Sequence, residues 1–124
     1  MATVEMTTEN INDIISNNDI VIIDFWAEWC GPCKQFAPIF EKVSNEYPDI
    51  VFAKVNTEEQ RELAGYFQIQ SIPTTIIFRE GIGIFQQPGL LPEEALKDII
   101  EQVKALDMDK VREEIAQQQA NEQQ

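Results

Sequence analysis

Histidine is absent from this chain of 124 residues, and cysteine occurs only twice, at Cys30 and Cys33. Without histidine, catalysis by a Ser–His or Cys–His pair is excluded. A tetrahedral zinc site needs four ligands, and two thiols supply only half of them. The sequence therefore predicts no metal site within one chain, and a site shared between two chains is the remaining metal alternative.

Basic residues are also scarce, with nine lysines and arginines against 22 acidic residues and a net charge of -13. This excess of negative charge disfavours nucleic acid and anionic membranes as partners and favours a soluble monomer. No apolar run approaches the roughly 20 residues that span a bilayer. The first residues lack the basic and apolar regions of a secretory signal. We therefore expect a cytoplasmic protein, in which a thiol pair stays available as a dithiol.

The pattern of apolar residues predicts an α/β fold. The run Ile20–Phe25 is apolar on consecutive positions, which is typical of a central strand covered on both faces. Further strands are predicted at residues 3–6, 51–55, 75–78 and 82–86. Helices are predicted after Thr7 or Thr8, from Cys33 to Pro48, from Glu58 to Phe67 after a cap at Thr57, and from Pro92. This order predicts a central mixed sheet flanked by helices on both faces.

The last twenty or so residues differ from the rest of the chain. Met108, Val111 and Ile115 have only a weak helical spacing, and the glutamine-rich end that follows has nothing to bury. We therefore predict one domain at residues 1–104 and a C-terminal extension at residues 105–124 that is partly helical and frays into disorder.

Cys30 and Cys33 lie where the predicted central strand is followed by a helix. A structural disulfide that closes so short a loop would contribute only about 2 kcal/mol. The spacing and the position favour a redox pair instead. Cys30 precedes the helix, where backbone N–H groups and the helix dipole stabilise a thiolate, so it is the predicted nucleophile. Cys33 is the predicted resolving thiol. Pro32 is predicted to stiffen the loop and to tune the stability of the dithiol, and Gly31 to let the backbone turn tightly.

Asp24 is unusual because it lies within the predicted central strand. It is either a strand-end residue with its own hydrogen bonds or a proton acceptor for Cys33, with a pKa raised by burial. Lys54, on the next strand, is either its partner or an ordinary surface lysine. Trp29 either contributes a flat contact surface beside the dithiol or is a plain surface aromatic. An Ile–Pro bond is cis in only about 5–6% of cases, so the residues around Pro73 do not predict its isomer.

The segment from Asp24 to Lys34, DFWAEWCGPCK, resembles the active-site segment of the thioredoxin family. The similarity covers about residues 3–104 and includes Ala37-Pro38, Ala53–Asn56, Ile72–Thr74, Phe78, Gly81 and Gly89. The resemblance implies a thioredoxin fold and a protein dithiol–disulfide oxidoreductase that reduces client proteins, with a role in electron transport and cell redox homeostasis.

The resemblance also implies how the site works. Pro73 would be cis and face the dithiol, and the Ile72 backbone, Trp29 and the Gly89 loop would form the substrate groove. No cofactor would be bound, and a flavin- and NADPH-dependent thioredoxin reductase would regenerate the dithiol.

The chain departs from the usual family pattern at several places that bear on partner choice. Its last predicted strand, at residues 82–86, is more apolar, its tail is longer, and the positions near the groove differ; the residues are Ser71, Ile82, Ile84, Phe85, Leu90 and Pro92. These features keep two other classes open: a chaperone-associated adaptor that keeps the fold, and an oxidase or isomerase of an oxidising compartment.

Overall fold

The computed structural model describes residues 2–122. Its strands are β1 (Thr3–Glu5), β2 (Ile20–Trp26), β3 (Val51–Asn56), β4 (Thr74–Arg79) and β5 (Ile82–Pro88). Its helices are α1 (Ile11–Asn17), α2 (Gly31–Glu46), α3 (Arg61–Tyr66), α4 (Glu93–Lys104) and α5 (Met108–Glu122). No helix in this range is long and apolar enough to cross a bilayer.

The five strands form one mixed sheet in the order β1-β3-β2-β4-β5. β1 and β2 pair parallel to β3, whereas β4 pairs antiparallel to β2 and to β5. β2 takes the centre, and its residues from Ile20 to Phe25 are all buried. The predicted α/β architecture with a mixed central sheet is therefore confirmed.

Helices cover both faces of this sheet because alternate residues of β2 point in opposite directions. On one face, Ile22 belongs to a cluster with Phe36 and Phe40 of α2 and Leu96 of α4. On the other face, Ile23 belongs to a cluster with residues of α1 and α3, among them Ile11 and Leu63. The first turn of α2 is held against the end of β2 by this packing, which fixes the position of Cys30 and Cys33.

Two helices begin later than predicted, each because an asparagine side chain holds a turn before it. Asn10 Oδ1 accepts from the backbone N–H of Thr7 at 2.8 Å, so α1 begins at Ile11. Asn56 Oδ1 accepts from the N–H groups of Glu58 and Glu59 at 2.9 and 3.3 Å. The prediction that Thr57 caps a helix is wrong, since its hydroxyl donates to the carbonyl of Trp26 instead. Asn and Asp side chains commonly compete with helix formation in this way.

The tail forms a helix, α5, that extends further than the predicted partly helical segment. Met108 is buried, Val111 and Ile115 are half-buried, and most of the remaining side chains are exposed. An ion pair between Arg112 and Glu80 joins α5 to the turn between β4 and β5. The part of the predicted disorder that falls on the last two glutamines lies outside the described residues.

Arg79 ties the end of α4 to the sheet. Its Nη1 donates to the carbonyl oxygens of Val103 and Leu106, each at 2.8 Å, and its side chain is only 16% exposed. The last carbonyls of a helix have no partner within the helix, so a largely buried guanidinium that donates to this end of the chain segment is difficult to replace.

We expect Arg79→Met to lower the free energy of unfolding by about 1–3 kcal/mol, because the carbonyl of Leu106 loses this donor and the carbonyl of Val103 keeps only its backbone donor, the N–H of Leu106. Chemical denaturation measures the change. The matched control is Arg112→Met, which removes two exposed ion pairs, with Glu80 and Asp109, each worth about 0–1 kcal/mol. Equal losses in the two variants would show that Arg79 does not anchor α4.

Candidate active site

The two cysteines lie at the N-terminus of α2, immediately after the loop that follows β2. Cys30 is the N-cap residue, with an extended backbone, and Pro32 lies in the first turn. Proline is well tolerated there because the first N–H groups of a helix have no partner within it. Gly31 and Pro32 are both exposed, so the loop between the cysteines faces solvent.

Cys30 and Cys33 form a disulfide with their Cα atoms 5.2 Å apart, a normal separation for such a bond. The backbone N–H of Cys33 donates to Cys30 Sγ at 3.2 Å. This donor and the positive end of the α2 dipole would stabilise a thiolate at Cys30 once the pair is reduced. Both residues are nearly buried, at 4% exposed for Cys30 and 2% for Cys33.

The segment before β4 contacts Cys30, and the loop after β5 contacts that segment in turn. The Ile72–Pro73 peptide bond is cis, and the carbonyl oxygen of Ile72 lies 3.6 Å from Cys30 Sγ. The N–H of Gly89 donates to the carbonyl of Pro73 at 2.8 Å. Gly89 has a φ of 101°, a conformation that favours glycine. The structure therefore places the Ile72 carbonyl beside Cys30, and Gly89 against the carbonyl of Pro73.

Trp29 is held at the edge of the site by a contact that the sequence does not predict. Its side chain is 69% exposed, and its indole Nε1 donates to Glu58 Oε1 at 2.8 Å. The second oxygen of Glu58 lies 3.7 Å from Nη2 of Arg61. No sequence signal distinguishes Glu58, because it is one of 22 acidic residues and is far from Trp29 in the chain.

A shallow groove of about 330 Å³ runs beside Trp29. Its lining is uncharged and consists of Trp29, Thr57, Ala64, Ile69, Gln70, Ser71 and Ile72. The groove lies next to the dithiol, because Ile72 lines it and the Ile72 carbonyl lies 3.6 Å from Cys30 Sγ.

Asp24 is fully buried in β2, between Lys54 of β3 and Thr75 of β4. Among the described residues, neither of its carboxylate oxygens has a hydrogen-bond partner. Burial raises the pKa of Asp24 from 3.8 to about 7, and the positive charge of Lys54 opposes this shift. Of the two interpretations of Asp24, the strand-end residue with its own hydrogen bonds is therefore wrong.

Lys54 acts on Asp24 through space, because no salt bridge joins the two within residues 2–122. Its Nζ lies 4.9 Å from the centre of the Trp26 ring, a cation–π distance. A cleft of about 350 Å³ is lined by Lys54, Trp26 and Cys33, among others. This cleft connects the second cysteine with the lysine next to Asp24.

The described part of the chain offers no group of three or more acidic, cysteine or histidine side chains that could hold a metal ion. The site therefore offers two thiols, a carboxyl group with a pKa of about 7 and an uncharged groove.

Comparisons with known proteins agree with this geometry. The thioredoxin family model matches residues 2–102. A relative named "Putative thioredoxin 2", from Streptomyces coelicolor, is 57% identical over 119 residues, which cover 96% of this chain and 89% of the relative. A thioredoxin from Mycoplasma pneumoniae is 37% identical over 102 residues, covering 82% of this chain and all of the relative.

Solved structures give the same result. A mutant thioredoxin from Halobacterium salinarum superposes with a TM-score of 0.78 at 34% identity, over 84% of this chain and 91% of that one. The thioredoxin of Plasmodium falciparum gives a TM-score of 0.74 at 38% identity, over 81% of this chain and 97% of that one.

Proposed function

Because this chain belongs to the thioredoxin family, we propose that Cys30 is the attacking nucleophile and Cys33 the resolving thiol of its reaction. The chain is a protein dithiol–disulfide oxidoreductase. The observation that carries the assignment of roles is the N–H of Cys33 donating to Cys30 Sγ at the start of α2. That donor and the helix dipole favour the thiolate at Cys30 rather than at Cys33.

The reaction transfers two electrons and two protons to a client disulfide. The Cys30 thiolate attacks one client sulfur, forms a mixed disulfide with it and displaces the other client sulfur, which takes up a proton. Cys33 then loses its proton and attacks Cys30 Sγ, which releases the first client sulfur as a thiol. The products are a reduced client and the Cys30–Cys33 disulfide.

The neighbouring residues are proposed to bind the client and to move the proton. An extended client segment would lie beside the Ile72 backbone, with Trp29, Pro73 and Gly89 lining its path. Asp24 would accept the proton of Cys33 through water in the cleft that Cys33 shares with Lys54. Lys54 would stabilise the Asp24 carboxylate, and Gly31 and Pro32 would tune the stability of the dithiol.

The wider assignments follow from family membership and from the charge of the chain. We propose that the protein holds no cofactor and that a flavin- and NADPH-dependent thioredoxin reductase regenerates its dithiol. Its partners would be that reductase and disulfide-containing clients, and it would act as a monomer in the cytoplasm. The net charge of -13 supports a soluble monomer. The domain would comprise residues 1–104, with residues 105–124 as an extension.

The adaptor alternative is not favoured, because the chain has both the family's sequence and a paired CxxC. Insulin reduction tests the proposal directly. With dithiothreitol as the electron supply, we expect wild-type protein to accelerate the precipitation of reduced insulin chains. The double variant Cys30→Ser, Cys33→Ser is the control and should match the rate without protein. A wild-type rate equal to that of the control would contradict the proposal.

A further inference from the structure

We infer that Glu58 is a specificity residue that favours clients whose segment in the Trp29 groove carries a lysine or arginine. This inference rests on the proposed function, because it concerns the binding of the client disulfide that Cys30 attacks. It names a class of client, cationic around the cystine, that neither the CxxC sequence nor the family assignment provides.

The first observation is that Glu58 is fixed in place. Its Oε1 accepts from the indole N–H of Trp29 at 2.8 Å, and Trp29 precedes Cys30 in the chain. The backbone N–H of Glu58 donates to Asn56 Oδ1 at 2.9 Å, which holds the turn that carries it. A side chain that is held at its backbone and at one carboxylate oxygen loses little conformational entropy when it binds a cation, so more of the attraction appears as affinity.

The second observation is that this carboxylate remains available. The side chain of Glu58 is 51% exposed, and its Oε2 faces Arg61 at 3.7 Å, which is long for an ion pair. Arg61 is itself 83% exposed, so it can turn away at little cost. A client lysine or arginine could therefore replace Arg61 as the counter-ion of Glu58.

The third observation concerns the groove itself. All seven residues that line it are uncharged. Two of them adjoin Glu58: Thr57 is its neighbour in the chain, and Trp29 is its hydrogen-bond partner. Glu58, with Arg61 as its exposed counter-ion, therefore provides a negative charge beside a groove whose lining is neutral, on a protein of net charge -13. Such a field attracts cationic segments and repels acidic ones, mainly through the rate of association.

The proposal predicts a difference between two client peptides. Both contain one cystine in the same sequence, and two lysines flank it in one peptide and two glutamates in the other. Pre-reduced protein is mixed with each peptide, and acid quenching gives the second-order rate constant of a single turnover. At low salt we expect the lysine peptide to react about tenfold faster. At high salt this ratio should fall towards one.

Four variants separate a local effect of Glu58 from the net charge of the protein. Glu58→Gln keeps an acceptor for Trp29 but removes the charge, so we expect the ratio to fall about threefold. Arg61→Gln removes the competing cation, so the ratio should rise. Glu59→Gln removes a charge that lines a different groove, with Glu5 and Lys54, and Glu113→Gln removes one on α5. Both controls should leave the ratio within about 1.5-fold of the wild type.

An unchanged ratio in Glu58→Gln, or an equal fall in Glu59→Gln, would overturn the inference and leave the proposed function intact. A wild-type protein that reduces neither peptide and also fails to reduce insulin would overturn the proposed function, and the inference with it.

Discussion

Replacing Cys33 with serine is expected to leave the protein covalently attached to its clients and to lower turnover by about 10³-fold or more. In the wild type, Cys33 attacks the mixed disulfide from a position fixed one helical turn away from Cys30. Intramolecular groups of this kind reach effective concentrations of about 10⁵ M or higher, whereas external thiols are present at about millimolar concentrations. Without Cys33, the mixed disulfide is therefore cleaved only by an external thiol, which reacts much more slowly.

The trapping experiment reads out this intermediate directly. Cys33→Ser protein is incubated with a cell extract under non-reducing conditions, and adducts that dithiothreitol releases are identified by mass spectrometry. Cys30→Ser is the matched control and should retain few or none, because within residues 2–122 the backbone N–H donor at the pair contacts Cys30 Sγ rather than Cys33 Sγ. If Cys30→Ser traps as many clients as Cys33→Ser, the assigned roles of the two thiols are reversed or shared.

The parts of this fold that the sequence predicts are those that depend on local pattern. The buried run from Ile20 to Phe25 identifies the central strand, and Cys30 just before α2 identifies the reactive end of a helix. The later starts of α1 and α3 were not predicted, because Asn10 and Asn56 hold turns that propensity alone does not reveal. In such turns, one side-chain hydrogen bond outweighs the small propensity differences between residues.

Contacts between residues that are distant in the chain could not be predicted from the sequence either. Glu58 contacts Trp29 only because β2 and β3 are parallel, so the loops that follow the two strands lie at the same edge of the sheet. Arg79 meets the end of α4 only after the helix has packed on the sheet. Buried Asp24 shows the opposite case: a carboxylate in an apolar strand could be recognised in the sequence, because burying it without a partner is costly.

The second large effect is expected from Asp24→Asn, which should make the protein more stable above neutral pH. The pKa of Asp24 is about 7 in the folded protein and 3.8 in the reference state. Between these values the folded protein holds a proton that the unfolded chain has lost, so stability falls as pH rises through this window and levels off above it. At about 1.4 kcal/mol per pKa unit, the wild type loses up to about 4 kcal/mol that asparagine does not lose.

Denaturation with urea at several pH values measures this difference. Near pH 4 the two proteins should have nearly equal free energies of unfolding, and at pH 8.5 Asp24→Asn should be more stable by about 2–4 kcal/mol. Asp49→Asn is the control, since it removes a carboxylate that is 64% exposed and should show no comparable trend. A difference in stability that does not grow between pH 4 and 8.5 would mean that burial does not raise the pKa of Asp24.

The same substitution should slow the resolution of the mixed disulfide, and this cost explains why an enzyme would keep a destabilising carboxylate in its central strand. Without a base near Cys33, its attack on Cys30 should slow by about 10²-fold at neutral pH. In the wild type, the rate of resolution should rise with pH through the pKa of Asp24 near 7. Single-turnover release of a labelled client at a series of pH values measures this profile.

Lys54→Met separates a proton-transfer role of Asp24 from a merely structural one. Lys54 lowers the pKa of Asp24 against the larger effect of burial, so its removal should raise that pKa and move the resolution profile to higher pH. In Asp24→Asn, by contrast, the step near pH 7 should vanish while the protein becomes more stable. A profile that keeps this step in Asp24→Asn, or fails to move in Lys54→Met, would assign the proton acceptor to another group. Loss of rate together with gain of stability is the signature expected of a buried group retained for catalysis.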